Sequence, residues 1–324
     1  MALAKQMALT IQACIMVIAV SLFLVSCTSF GTGRTGPRPI ADFRVGSDGA
    51  RIQFMPNLPP PRLYDDQPFD VLIRVWNVGA ENVGGSNDRI YLSGFDPSII
   101  TGLSAFGQPI PKLEGKTQYN LEGTFDYVSF KGTIRNLKSL NVDRYPVSPL
   151  LATACYQYKT VSSENVCIDP DPFSTSAKTK ACVSRPASAG TQGAPIAVQR
   201  IDVEPSTSRS RFQIDIANVG GGDVFLPGAV YSTKCSPFDP RGLEFSEVDR
   251  VRLDRMEVAG TSITPSCRPV DSQGFIRLIN GRATIVCEYV SSGQGSAFVT
   301  PLITELRYGY RRTASTSVDI LPSR

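Results

Sequence analysis

The sequence predicts an all-β protein built from two tandem β-sandwich domains, and three observations support this prediction. Segments of five to nine residues with alternating apolar side chains recur between clusters of Gly, Pro, Asn, Asp and Ser, a pattern typical of strands and turns. No helical period extends convincingly beyond two turns. The second half of the chain repeats motifs of the first half in the same order, which indicates two copies of one domain.

Individual strands are predicted from their alternation. Residues 69–76 place alternate apolar side chains on one face, and residues 212–216 alternate in the same way. Residues 277–285 predict a hairpin, because the Asn-Gly pair at 280–281 suits a type I′ turn. Residues 243–257 fit either a short helix or a strand.

The internal repeat is clearest in two segments, 149–170 and 301–322, which align without a gap at an offset of 152 residues. Eight of the 22 aligned positions are identical, which is more than chance similarity of two strands explains. Two shorter matches occur in the same order in both halves, namely 71–79 with 212–220 and the Phe-Asp-Pro of 95–97 with that of 238–240. We therefore expect a first domain over 41–182, a linker over 183–192 and a second domain over 193–324.

The N-terminus predicts export and a lipid anchor. One charge, Lys5, precedes an uncharged apolar run over 7–25, and Ser26 and Cys27 then complete the order typical of a lipobox. The prediction is a signal peptide over 1–26, a lipid-bearing Cys27 and a flexible tether to residue 40, at the extracytoplasmic face of a membrane. An uncleaved transmembrane anchor is the alternative, since about 20 apolar residues span a bilayer. A cleaved signal with an incidental Cys27 is a third interpretation, and all three place the remaining chain outside the cytoplasm.

Composition excludes several function classes. The chain has 324 residues, of which 42% are apolar and 19% charged, so it has enough apolar material for folded cores. Its 33 basic and 29 acidic residues are interspersed, so we expect no nucleic-acid partner. Histidine is absent, which excludes Ser-His-Asp, Cys-His and His-rich zinc sites. We expect no enzyme activity, no metal and no cofactor.

The cysteines that follow the lipobox number six, which suits up to three disulfides in an exported protein. Their long spacings and the absence of a CxxC pair favour disulfides over metal binding. The six are Cys155, Cys167, Cys182, Cys235, Cys267 and Cys287.

Two disulfide pairings are predicted from the repeat and the hairpin. Arg307 and Asp319 stand in the second copy where Cys155 and Cys167 stand in the first. An exchange between a covalent and an opposite-charge pair is expected of cross-strand neighbours, so we predict Cys155–Cys167 in a hairpin centred on Val161. Cys182 competes for either partner. Cys267 precedes the hairpin that contains Cys287, so we predict Cys267–Cys287, which leaves Cys182 and Cys235.

Five aromatic residues are candidate binding residues. Tyr156, Tyr158, Tyr308 and Tyr310 lie at i, i+2 spacing in both copies. They form either a stacking platform for sugar rings or a buried aromatic ladder, and their repetition favours the structural role. Trp76 lies on the strand face opposite Val71, where a loop or the neighbouring domain covers it, or where it contributes to an exposed partner surface.

The pattern of alternating apolar residues followed by Asn-x-Gly, at 71–79 and 212–220, resembles the CARDB-like and related immunoglobulin-like domains of prokaryotic envelope proteins. The segment from Cys155 to Pro170 also looks like part of uncharacterised two-domain archaeal exported proteins. The resemblance implies two tandem immunoglobulin-like β-sandwich domains in an exported protein, and it implies no catalytic residue.

The function expected from these observations is that of a non-catalytic, membrane-anchored envelope lipoprotein with a structural or partner-binding role. Its partners are the membrane, through the lipid anchor, and an unidentified envelope protein or glycan. The alternative is a solute- or glycan-binding lipoprotein that uses a cleft between the two domains. Exposed and convergent Tyr or Trp rings favour the alternative, whereas buried rings favour a scaffold.

Overall fold

The structure is a computed structural model that describes residues 42–174, 180–291 and 295–323. The predicted signal peptide, Cys27 and the tether lie outside these residues. Strands account for 54% and helices for 4% of the structure, so the all-β prediction is confirmed. Residues 42–324 cluster as one compact unit.

The strands of the first half run from β1 to β8. They are β1 (Ala50–Phe54), β2 (Arg62–Tyr64), β3 (Pro68–Asn77), β4 (Val83–Ser93), β5 (Ile100–Thr101), β6 (Gln108–Leu113), β7 (Phe125–Ile134) and β8 (Tyr145–Ile168).

The second half contains β9 to β17 and a short helix, α1. They are β9 (Ala187–Ser188), β10 (Ile196–Pro205), β11 (Arg209–Asn218), β12 (Asp223–Phe225), α1 (Ala229–Lys234), β13 (Arg250–Val258), β14 (Thr261–Ser262), β15 (Phe275–Arg277), β16 (Arg282–Val290) and β17 (Phe298–Leu321). Two 3-10 turns, Lys138–Leu140 and Thr264–Ser266, complete the elements.

The described strands form one large sheet and two small ones. The large central sheet has the order β14-β13-β17-β8-β4-β6, with β12 and β2 also paired to β17 and β15 paired to β13. The first small sheet has the order β1-β3-β7-β5, and the second has the order β16-β11-β10-β9. Each small sheet belongs to one half of the chain, whereas the central sheet contains strands of both halves.

The two repeated segments pair with each other at the centre of the large sheet. β8 and β17 are antiparallel over almost their full length, from Tyr145 beside Ile320 to Ile168 beside Phe298. Gln157 lies opposite Gly309, and these two residues are 152 apart, which is the offset of the repeat. A half-turn about this pair therefore superimposes each strand on its repeat, so the chain resembles an isologous dimer within one polypeptide.

The predicted hairpin centred on Val161 is wrong. β8 continues through this residue, and Val161 pairs with Glu305 of β17. The physical reason is visible in the sequence, because residues 159–163 (Lys-Thr-Val-Ser-Ser) contain no Gly, Pro or Asn to make a turn. The repeat similarity thus reflects two strands that pair with each other and not two separate hairpins.

Other local predictions hold. The Asn280-Gly281 turn has positive φ at both residues, 52° and 74°, and Ile279 bridges to Arg282, as a type I′ turn requires. The strands on its two sides then diverge, since β15 joins the central sheet and β16 the second small sheet. The ambiguous segment 243–257 contributes a strand, β13, and the short helix lies before it.

The core is continuous across both halves. The inward residues of β3 and β11 are fully buried, among them Val71, Ile73, Phe212 and Ile214, and one cluster joins them with residues of β8 and β17. Replacing such a residue by Ala typically costs about 2–5 kcal/mol. The segment predicted as a linker also contributes to a sheet, because Ala187 and Ser188 of β9 pair with β10.

Candidate functional site

The four predicted tyrosines are buried at the centre of the molecule. Each ring is at most 3% exposed. Neighbouring ring centroids along and across the strands are 5.9–6.3 Å apart, which is the range of favourable aromatic contacts. These residues are therefore core residues and do not form a platform for sugar rings. The four are Tyr156, Tyr158, Tyr308 and Tyr310.

Each tyrosine hydroxyl accepts a hydrogen bond from a backbone N–H of its own half. Tyr156 accepts from Ala50 at 3.1 Å, and Tyr308 accepts from Ile196 at 3.2 Å. Both donors are the first residues of equivalent strands, β1 and β10. A buried aromatic hydroxyl needs such a partner, so the hydroxyls attach each small sheet to the central sheet.

The Asn-x-Gly motif completes this attachment. Asn77 donates from Nδ2 to the carbonyl of Glu81 at 2.8 Å, and the N–H of Glu81 in turn donates to the hydroxyl of Tyr158 at 3.1 Å. The second half repeats this arrangement. Asn218 donates from Nδ2 to the carbonyl of Gly222 at 2.7 Å, and the N–H of Gly222 donates to the hydroxyl of Tyr310 at 2.6 Å. The motif that suggested the resemblance is thus a structural device that closes the turn after β3 or β11 over a tyrosine.

Burial keeps these hydroxyls protonated. It raises the pKa of Tyr310 to about 12 and raises the pKa values of Tyr156, Tyr158 and Tyr308 as well. A phenol with so high a pKa does not act as a general base near neutral pH.

Trp76 lies on the outward surface of the first small sheet, where the strand register aligns it with other unusual side chains. Across the strands, Trp76 of β3 lies between Arg51 of β1 and Phe125 of β7. In the next row, Arg74 lies between Gln53 and Tyr127. We call the surface formed by these six residues the aromatic–arginine face.

Arg74 is the centre of the aromatic–arginine face. Its guanidinium carbon is 4.2 Å from the ring centroid of Phe125 and 4.9 Å from that of Trp76, so it makes cation–π contacts with both. The Nε of Arg74 is buried and has no hydrogen-bond partner within the described residues. The arginine is therefore positioned by aromatic rings.

A loop partly covers Trp76. The indole Nε1 donates to the carbonyl of Glu122 at 3.0 Å, and the indole remains half-buried. The neighbouring rings are more accessible, since Phe125 is 49% and Tyr127 43% exposed. The face is consequently a mixture of fixed and accessible aromatic surface.

The equivalent face of the second half has a different chemistry. Asp215 and Ala217 occupy the positions of Arg74 and Trp76, and Thr284 and Arg282 oppose them on β16. Thr284 donates to Asp215 at 2.7 Å. Further ion pairs on this surface join Arg200 to Asp202 and Arg209 to Glu288. The second face is thus a solvated, internally paired surface, and the aromatic–arginine face is not repeated.

The disulfides of the described residues are Cys155–Cys235, Cys167–Cys182 and Cys267–Cys287. The third is as predicted, but the predicted Cys155–Cys167 pair is wrong. Both cysteines lie in the uninterrupted strand β8, where twelve residues span roughly 40 Å. Three disulfides indicate an oxidising, extracytoplasmic environment.

The two charged residues that replace Cys155 and Cys167 in the second copy also do not pair with each other. Arg307 binds Asp254 at 2.8 Å, and Asp319 binds Arg144 at 2.8 Å. Their opposite signs were therefore no evidence of a cross-strand pair.

Cys235 links the segment around α1 to the centre of the large sheet. The bond to Cys155 is buried, together with Tyr91 and Phe225. Beside it, the side chain of Gln157 donates to Ser232 at 2.7 Å and accepts from the N–H of Gly228 at 2.8 Å. This segment thus covers the position of the pseudo-twofold axis on the face opposite the tyrosines.

Among the described residues, no three potential metal-ligating side chains lie together, and no helix is long and apolar enough to cross a bilayer. No family model matches the sequence, and no curated protein is significantly similar to it.

Proposed function

We propose that this protein is a non-catalytic, membrane-anchored envelope lipoprotein with a structural or partner-binding role, and that it makes contact through the aromatic–arginine face. One observation supports this most strongly. The two copies keep the same tyrosines and Asn-x-Gly turns, which hold the fold, but differ at the positions of Arg74 and Trp76. After a duplication, features needed for folding are expected in both copies, whereas a surface specialised for contact is needed in one.

The three disulfides of the described residues support an anchor at Cys27. Three buried or half-buried disulfides suit the compartment to which a lipobox directs a protein. With Cys27 modified by lipid and Cys14 removed with the signal, every remaining cysteine is paired.

We further propose that each half derives from an immunoglobulin-like sandwich. In support, each small sheet carries an equivalent set of three strands, β1-β3-β7 and β10-β11-β16, and each is attached by tyrosine hydroxyls to the central sheet. The shared central pair, β8 and β17, is where the two sandwiches merge.

The alternative of solute or glycan binding in a cleft between the domains predicted exposed and convergent Tyr or Trp rings. Accessible rings such as that of Tyr127 lie instead on the outward surface of the first small sheet. Because the four repeated tyrosines are buried in the core, we retain the structural or partner-binding role.

The anchor is tested by expressing the wild-type chain and Cys27→Ala in a lipoprotein-processing host. We expect the wild type to fractionate with membranes, to incorporate an alkyne fatty acid and to begin at a modified Cys27 by intact mass. We expect the variant to incorporate no label. An unmodified chain that begins at Met1 contradicts the lipid anchor and favours the transmembrane alternative.

A further inference from the structure

The chain enters the described structure beside the aromatic–arginine face. A cavity of about 270 Å³ is lined jointly by Gly46, Ser47, Trp76 and Leu121. The ammonium of Lys116 donates to the carbonyl of Val45 at 3.1 Å, which fixes this entry point. The first described residues therefore lie against the same surface as the only tryptophan of the chain.

The proposed lipid anchor limits how far this surface lies from the bilayer. Cys27 precedes Asp42 by fifteen residues, and such a segment spans at most about 50 Å when fully extended. The lipid therefore keeps the entry point, and the surface that adjoins it, within reach of the bilayer.

The side chains around the entry point are apolar and exposed. Tyr119 is 90% exposed, Leu121 48%, Phe125 49% and Tyr127 43%, and the rings of Phe125 and Tyr127 contact each other at 5.9 Å. Soluble surfaces rarely concentrate groups of this size. Tyr and Trp are enriched where a protein meets the headgroup region of a bilayer, because their rings are apolar and their tips polar.

The charges of this surface suit an anionic bilayer. The outward charged residues of β1, β3 and β7 are Arg51, Arg74 and Lys131 against Asp70. Arg51 is paired with Asp48 at 2.6 Å, whereas Arg74 packs on two aromatic rings and forms no ion pair with a described residue. Guanidinium groups bind phosphate oxygens in a bidentate manner. A second copy of the same face would instead meet like charge.

We propose that the aromatic–arginine face, together with the exposed Tyr119 and Leu121, docks the anchored protein onto the anionic lipid surface of its membrane. This inference rests on the proposed anchor at Cys27 and adds an orientation to it. In the docked state the phosphate of a lipid headgroup binds Arg74, and Phe125, Tyr127 and Leu121 enter the interfacial region. The second small sheet and the segment around α1 remain available to other partners.

The single tryptophan makes the proposal measurable on the unmodified protein. The full-length, lipid-modified protein is purified in detergent and added to preformed vesicles of phosphatidylcholine, with or without the anionic lipid phosphatidylglycerol. Dibrominated lipids quench a tryptophan that approaches the bilayer. Flotation of the vesicles reports anchoring, and the emission of Trp76 reports docking.

We expect flotation with both lipid mixtures, but quenching and a blue shift only with the anionic one. Arg74→Glu should shift the ratio of docked to undocked protein roughly 30-fold toward the undocked form, because each charge near the surface changes the equilibrium about fivefold or more. Arg282→Glu is the matched control, since it reverses a charge on the equivalent second face, and it should leave quenching unchanged.

The outcomes separate the two proposals. Flotation without quenching overturns the docking proposal and leaves the anchor intact, and equal quenching of wild type and Arg74→Glu also overturns it. If the protein does not float with the vesicles, the anchor is contradicted. Quenching of Trp76 at high vesicle concentration then still tests whether the aromatic–arginine face binds lipid. A shift of Trp76 emission caused by polygalacturonate in the absence of lipid, with no quenching by brominated lipid, overturns the proposal and assigns a glycan to the face.

Discussion

Removing one buried hydroxyl tests whether the tyrosines hold the small sheets to the central sheet. In Tyr158→Phe the N–H of Glu81, at 3.1 Å, loses its acceptor, and the carbonyl of Gly193, at 2.9 Å, loses a donor. An unsatisfied buried group costs about 1–3 kcal/mol, and the net worth of a lost hydrogen bond is about 1 kcal/mol. Because the N–H of Glu81 is only partly buried, we expect a total loss of about 2–3 kcal/mol.

The equivalent variant provides an internal repeat of the experiment. Tyr310→Phe removes the acceptor of the Gly222 N–H, at 2.6 Å, and the donor to Asn218, so its cost should agree with that of Tyr158→Phe within a factor of about two. Tyr127→Phe, at an exposed site, should cost less than about 0.5 kcal/mol.

Urea unfolding of the oxidised protein, followed by Trp76 fluorescence and circular dichroism, gives these free energies by linear extrapolation. The account of the tyrosines is refuted if both buried variants cost no more than the exposed control.

Three further predictions concern residues of the central sheet. Loss of Cys155–Cys235 should cost more than loss of Cys167–Cys182, about 4.5 against about 3 kcal/mol, because the loops span 80 and 15 residues; urea midpoints of the double-Ala variants measure this. Burial raises the pKa of Tyr310 to about 12, so its contribution to stability is complete below about pH 10 and is lost between pH 10 and 12, at up to about 1.4 kcal/mol per pH unit. The free energy of unfolding of Tyr310→Phe should therefore fall less between pH 10 and 12 than that of the wild type. An equal fall in both proteins would refute this prediction. Gly309→Ala places a Cβ 2.0 Å from the ring of Phe225. Thermal unfolding should therefore show that the free energy of unfolding falls by about 1–3 kcal/mol, as overpacking typically gives.

The sequence was sufficient for the features that depend on local pattern. Alternation located β3 and β11, and the Asn-Gly pair located a turn whose residues both have positive φ. The repeat identified equivalent residues correctly, including the tyrosines and both Asn-x-Gly turns.

Long-range pairing was beyond the sequence pattern. A repeated strand looks the same whether it folds back within its own copy or pairs with the other copy, so the alignment did not distinguish a hairpin at Val161 from the pairing of β8 with β17. The Cys155–Cys235 bond was missed for the same reason, since it needs the position of α1 over the central sheet.

The candidate site was found in part. Trp76 was identified from the sequence, but Arg51, Phe125 and Tyr127 were not, because only the register of β1, β3 and β7 brings them beside it. One signal was available, since Phe125 and Tyr127 alternate in the same way as Arg74 and Trp76. Comparing the two copies strand by strand then separates these unrepeated residues from the repeated, structural ones.

The central claim is that the two copies share one sheet through uninterrupted strands, and peptide mapping of the non-reduced protein tests it most directly. The account predicts that proteolysis releases Cys155 joined to Cys235, Cys167 joined to Cys182, and Cys267 joined to Cys287. A peptide that joins Cys155 to Cys167 would contradict it, because this bond requires β8 to fold back on itself and removes the pairing of the two copies.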